Sequence, residues 1–100
     1  MSIITETLSK AVLLEQAAEE CSELAAVCSK MARKLRGENP TPMETNDILA
    51  KLCEEAGDVT LCLMTLIDAG LLSQDSIDSV VMTKESRWEE RLKERKQGGN

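Results

Sequence analysis

Residues 14–35 read LEQAAEECSELAAVCSKMARKL, a long stretch without Pro or Gly. It is rich in Ala, Leu, Glu and Lys, which favour a helix over a strand. At about 100° per residue, its apolar side chains share one face. These side chains are Leu14, Ala17, Cys21, Leu24, Cys28, Met31 and Leu35. We therefore expect a helix over about residues 5–36, ended by Gly37.

Two further helices are expected after a loop at residues 37–42, where two prolines prevent a helix from continuing. The second helix spans about residues 47–69, with Gly70 as its stop, and the third about residues 75–96. Residues 97–100 read as a frayed tail. The expected caps are Thr45, Asn46 or Asp47 for the second helix and Ser73 or Asp75 for the third.

Both later helices carry apolar side chains at helical spacing. In the second helix they form a broad face: Ile48, Leu49, Leu52, Cys53, Ala56, Val59, Leu63, Leu66 and Ile67. In the third they form a stripe: Ile77, Val80, Val81, Trp88 and Leu92. A chain of 100 residues is typical of one domain with a thin core. The predicted fold class is all-α, a single domain over residues 1–100: a bundle of about three helices, two of them long. Because the apolar faces are too broad for one hairpin to cover, dimerisation or tetramerisation is expected to complete the bundle.

Composition excludes several classes of protein. A net charge of −6 disfavours binding to nucleic acid polymers and to anionic membranes. The apolar stretches are too short to span a bilayer, and no secretory signal is recognisable, so a cytoplasmic protein with reduced thiols is expected. The four cysteines lack CxxC spacing and the chain has no His, which argues against zinc. Cys21, Cys28 and Cys53 are expected in the core, and Cys62 partly exposed.

Two acidic pairs are the candidate metal ligands: Glu20 with Glu23, and Glu55 with Asp58. Each pair is spaced i, i+3, which places both carboxylates on one helix face. If the two helices pack as an antiparallel hairpin, the pairs can face each other and require a cation. All-oxygen ligation suits Mg²⁺, with Mn²⁺ possible as well. The alternative is that a Glu-rich helix contains such spacing by chance, as part of a solvated face.

Basic residues of the third helix are candidate phosphate ligands. Lys84, Arg91 and Arg95 fall on the face of its apolar stripe, with Arg87 beside them. Such cations could hold phosphate oxygens near a carboxylate-bound metal. The alternative is that they complement the dipole at the helix C-terminus. Trp88 could stack on a base, or anchor an interface between chains.

The acidic pairs lie in a recognisable pattern. Residues 19–24, EECSEL, and residues 54–59, EEAGDV, resemble the EExxE and ExxD motifs of the MazG-like, all-α nucleoside triphosphate pyrophosphohydrolases. The basic segment at residues 84–88 is similar to that family's following helix. The resemblance covers about residues 14–91. It departs from the family in a longer gap between the motifs and in a near absence of aromatic side chains.

The resemblance implies an activity and a set of roles. Such proteins dimerise, or form dimers of dimers, and use Mg²⁺ to cleave a (d)NTP into (d)NMP and pyrophosphate. By motif position the metal ligands would be Glu20, Glu23, Glu55 and Asp58. Water or a second ion would be oriented by Glu19 and Glu54. The substrate would be bound by Lys84, Arg87, Arg91 and Trp88.

Two other classes of function remain open from the sequence. The scarcity of aromatic residues favours a non-catalytic helical module with the same fold that binds a nucleotide or a protein. An acidic regulatory protein unrelated to either would not depend on metal for its stability.

Overall fold

The structure, a computed structural model, describes residues 2–38 and 43–98 of the chain. These residues form four helices and no strand: α1 (Ile3–Thr7), α2 (Lys10–Arg36), α3 (Thr45–Asp68) and α4 (Gln74–Gln97). The all-α fold class is thereby confirmed. Most of the predicted proline loop, residues 39–42, and the end of the predicted tail, residues 99–100, lie outside the described part of the chain.

The first predicted helix is divided near its start. Leu8 adopts an extended conformation, and Ser9 caps α2 by accepting a hydrogen bond from Val12 N at 3.2 Å. The prediction of one helix from residue 5 was therefore wrong, because the Ser9 side chain offers the backbone a new helix start. The other end was predicted correctly: Gly37 ends α2 in the left-handed region at φ 72°, which glycine adopts without steric cost.

The remaining helix ends differ little from the prediction. Helix α3 begins at Thr45, two residues earlier than expected, and its N-cap is Glu44, whose side chain makes no capping hydrogen bond. The predicted cap at Thr45, Asn46 or Asp47 was therefore wrong, since all three lie within the helix. After α3 the chain turns through Gly70 at φ 80°. Ser73 then caps α4 by accepting a hydrogen bond from Ser76 N at 3.3 Å, as predicted.

Helices α2 and α3 pack as an antiparallel hairpin with a cluster of buried side chains near each end. Near the start of α2 the buried residues are Leu13, Ala17, Cys62 and Leu66. Near the α2–α3 loop they are Val27, Met31 and Ile48, with Met43 and Leu52 packed against them. Between the two clusters α3 buries a carboxylate, Glu55.

The hairpin buries only part of each predicted apolar face, including Ala17 and Met31 of α2 and Ile48 and Leu66 of α3. On α2, four residues of the predicted core face are exposed: Leu14, Cys21, Cys28 and Leu35. On α3, the exposed residues of the predicted face include Leu49, Cys53, Ala56 and Leu63. The cysteine predictions were also wrong: Cys62, expected to be partly exposed, is buried, and the three cysteines expected in the core are exposed. A two-helix hairpin buries one narrow strip of each helix, and here these strips include the acidic edges.

Helix α4 leaves the hairpin and packs extensively against neither α2 nor α3. It has no buried residue, and four of the five residues of the predicted apolar stripe are exposed, with Trp88 65% exposed. An apolar groove of about 590 Å³ runs from Gly70 along the first turns of α4 to Val81. The third long helix therefore adds little to the core of a single chain.

Helix α1 is tied to the end of α3 by hydrogen bonds to one carboxylate. The Thr5 hydroxyl donates to Asp68 Oδ2 at 2.6 Å, and Ser2 N donates to the same oxygen at 3.2 Å. These bonds, the first of them above all, hold the pKa of Asp68 below its ordinary value.

No helix in the described part of the chain has the length and apolar character needed to cross a bilayer.

Candidate metal centre

Three carboxylates from α2 and α3 converge at the middle of the hairpin. Glu20 and Glu23 lie one turn apart on α2, and Glu55 faces them from α3; one ligand oxygen from each lies within 4.8 Å of the others. Oxygens on opposite sides of a Mg²⁺ ion are about 4.2 Å apart, at about 2.1 Å from the metal. The spacing of this carboxylate cluster (Glu20, Glu23 and Glu55) is therefore close to what one ion requires.

Glu55 is the most deeply buried member of the carboxylate cluster. Only 4% of the residue is exposed. Its Oε1 forms an ion pair with Lys51 Nζ at 3.0 Å, whereas its Oε2 is buried and has no partner. A buried carboxylate oxygen without a partner carries a desolvation cost. A bound cation would remove that cost.

Glu20 repeats this arrangement on the facing helix. Gln16 Nε2 donates a hydrogen bond to Glu20 Oε1 at 2.8 Å. The second oxygen, Glu20 Oε2, is buried without a partner. Both helices therefore satisfy one oxygen from a donor one turn earlier and leave the other unsatisfied within the hairpin.

Glu23 lies at the exposed side of the carboxylate cluster, and its pKa is raised above the ordinary value. The main cause is the negative charge of Glu20, followed by partial burial and by contacts with Glu20 and Glu55. A raised pKa means that like charges disfavour the ionised form. A divalent cation would reverse this effect, so protons and metal should compete for the carboxylate cluster.

The other predicted acidic residues lie around the carboxylate cluster. Asp58 is half-buried and is not one of the three converging groups. The pKa of the nearby Cys62 thiol is raised, mainly because the thiol is buried. The negative charges of Glu20 and Asp58 raise it further. Glu19 and Glu54 are exposed, and Glu54 Oε2 lies 3.6 Å from Lys51 Nζ. Their roles in orienting water, and that of Asp58 as a ligand, stay predictions.

The predicted substrate-binding residues all lie on α4. All four are exposed: Lys84, Arg87, Trp88 and Arg91. Within residues 2–38 and 43–98 no ion pair joins the three cations among them to the carboxylate cluster. Arg87 and Arg91 line a shallow groove on the surface of α4 itself. In one chain these side chains are not held at the carboxylates, and their role in binding substrate stays a prediction.

Two contacts to the carboxylate cluster were not predicted from the sequence. Lys51 and Gln16 each stand four residues before a carboxylate of the cluster, and the i, i+4 spacing was the signal that could have revealed them.

Beside Gln16 a mainly apolar cavity of about 150 Å³ lies under α1. It is lined by Ile4, Leu8, Leu13, Gln16, Leu61, Cys62 and Thr65.

The donor set fits a hard divalent cation. Every converging ligand atom is a carboxylate oxygen, and Mg²⁺ and Mn²⁺ prefer such ligands to nitrogen or sulfur. The two unpartnered buried oxygens of Glu20 and Glu55 supply unused coordination capacity. No family model, no curated protein and no solved structure matches this chain.

Proposed function

We propose that this chain is a Mg²⁺-dependent nucleoside triphosphate pyrophosphohydrolase that cleaves a (d)NTP into (d)NMP and pyrophosphate. The observation that carries the proposal is the buried carboxylate of Glu55, whose Oε2 lacks a partner while its group converges with those of Glu20 and Glu23. The order and spacing of the EExxE and ExxD motifs support it further.

Glu20, Glu23 and Glu55 would hold the metal, with Asp58 completing the set by motif position. When bound, the ion would neutralise phosphate charge, polarise the phosphoryl group and lower the pKa of water. Glu19 or Glu54, exposed beside the carboxylate cluster, would accept a proton from the attacking water. Cationic side chains of α4 would stabilise the charge that develops on the departing pyrophosphate.

We infer that the α4 cations reach the carboxylate cluster in an assembly of two or more copies. Helices α2 and α3 turn apolar residues outward, including Leu14, Leu35, Leu49 and Leu63, and most of the α4 stripe is exposed. Exposed apolar surface of this kind favours association. Outside α4, the chain has twice as many acidic as basic residues, so a basic face of α4 from a second copy complements it in charge.

The activity is tested by a screen of common and modified (d)NTPs with Mg²⁺ or Mn²⁺, measuring pyrophosphate release. We expect release of pyrophosphate rather than orthophosphate from at least one nucleotide, with no release in chelator. Glu15→Gln is a matched control, because Glu15 is an exposed carboxylate of α2 outside the carboxylate cluster. Nucleotide binding without turnover would instead support the non-catalytic binding module, and failure across the whole panel would overturn the proposal.

The shared site is tested by mixing two variants that are each inactive alone. Glu55→Gln removes a ligand, and a Lys84→Ala/Arg87→Ala double variant removes the cations. If the cluster and α4 come from different copies, random dimers of an equal mixture regain about one quarter of wild-type activity, since one site in each mixed dimer is intact. No recovery would place both parts of the site in one chain. Sedimentation of the wild type as a compact monomer at micromolar concentration would exclude the assembly.

A further inference from the structure

Lys51 is a cation that the fold places against the carboxylate cluster. Its Nζ lies 3.0 Å from Glu55 Oε1 and 3.6 Å from Glu54 Oε2. The Lys51 side chain is 49% exposed, whereas that of Glu55 is 5% exposed. The ammonium group therefore joins a buried carboxylate to the solvent-facing side of the site.

One ammonium group does not satisfy three carboxylates. With Lys51 in place, Glu55 Oε2 and Glu20 Oε2 are still buried and unpartnered. A doubly charged ion bound by these groups would neutralise much of the charge that attracts Lys51. The ion pair would then weaken, and the lysine stem is long and flexible enough for its head to move through the adjoining solvent.

We propose that Lys51 is an exchangeable counter-ion: it holds Glu55 in the metal-free protein, and when a divalent cation binds, its ammonium group moves to contact the polyphosphate of the substrate. The assignment rests on the proposed function. A polyphosphate that approaches a metal held by Glu55 must come close to Lys51, because Nζ starts 3.0 Å from an oxygen of that ligand. Lysine suits the exchange, since it binds as a point charge and lacks the bidentate hold of arginine.

The exchange has a consequence that an ordinary surface lysine would not produce. Removing Lys51 takes away a competitor of the metal and also a ligand of the phosphate. The Mg²⁺ affinity of the free protein and the affinity of the Mg²⁺-loaded protein for polyphosphate should therefore change in opposite directions.

Calorimetry with Mg²⁺ alone, and then with inorganic triphosphate in saturating Mg²⁺, tests this without turnover or a known base. For Lys51→Met we expect Mg²⁺ to bind about three- to tenfold more tightly, because a nearby positive charge is lost. Triphosphate should bind at least about tenfold more weakly, because one charge-assisted hydrogen bond is lost. Lys51→Arg should retain triphosphate binding but weaken Mg²⁺ binding, because a guanidinium group holds Glu55 more firmly.

Lys10→Met is the matched control for loss of one lysine charge, since Lys10 is exposed at the start of α2 and distant from the carboxylate cluster. Both affinities should be nearly unchanged in it. Equal or parallel changes in the Lys51 and Lys10 variants, or a wild type that binds no Mg²⁺, would overturn the inference. A wild type that shows the opposed shifts but hydrolyses no (d)NTP would leave the inference standing and remove the proposed activity.

Discussion

Replacing Glu55 with glutamine should abolish pyrophosphate release and, in metal-free buffer, make the protein more stable than the wild type. The carboxylate is 4% exposed and keeps one buried oxygen without a partner. A neutral amide of the same shape removes the buried charge, and its loss of the Lys51 ion pair costs little because Lys51 is half-exposed. We expect a gain of about 1–2 kcal/mol in the free energy of unfolding.

Saturating Mg²⁺ should reverse this order of stability. The wild type gains free energy from metal that binds only the folded state, whereas the variant has lost a central ligand. Thermal unfolding followed by circular dichroism, with chelator and with Mg²⁺, measures both effects. Glu15→Gln should follow the wild type in both buffers. A Glu55→Gln protein that is less stable without metal, or that retains activity, would show that this carboxylate has an ordinary structural role.

Ile48→Ala should cause the largest loss of stability of any single truncation in the hairpin. Ile48 is fully buried, and it packs with Val27 and Met31 beside the α2–α3 loop. Truncating a buried isoleucine costs about 2–5 kcal/mol, against about 5–15 kcal/mol for the whole stability of a typical domain. With seven buried apolar residues in the described part of the chain, this protein has little reserve, so we expect substantial unfolding at 37 °C.

The neighbouring residue provides a matched control for Ile48→Ala. Leu49 is next along α3 and loses the same number of carbon atoms on truncation, but it is 45% exposed. In denaturant unfolding, the loss from Ile48→Ala should not depend on protein concentration. The loss from Leu49→Ala should be small at high dilution and grow with concentration if a second copy covers that face. A cost below about 1 kcal/mol for Ile48→Ala would place the stabilising core elsewhere.

The candidate site was predictable in its parts and less so in its arrangement. The spacing of Glu20 and Glu23 places them on one side of α2 from sequence alone, since three residues make nearly one helical turn. That Glu55 meets them, with Asp58 outside the converging trio, depends on how far each helix is rotated about its own axis. This rotation is set by contacts between helices, which no local pattern records.

The periodicity predicted only part of the buried surface, for a physical reason. It marks the most apolar face of each helix, and a single hairpin would be expected to bury that face. In this chain part of each predicted face is buried, as at Ala17 and Ile48, whereas Leu14 and Leu49 are exposed. The buried strips extend instead to the half-buried Glu20 and the buried Glu55. An apolar face satisfies the same pattern whether its own chain or another copy covers it, so sequence alone cannot distinguish the two.

The sequence by itself determined the three long helices, the caps at Ser73 and Gly37, and the carboxylate pair on α2. These depend on backbone hydrogen bonds and side-chain spacing within a few residues. Only the tertiary structure decided which face of each helix is buried, that Glu55 completes the carboxylate cluster with an unpartnered oxygen, and that α4 stays apart from the hairpin. Those features arise from packing between segments that are distant in sequence, where shape and charge of both partners act together.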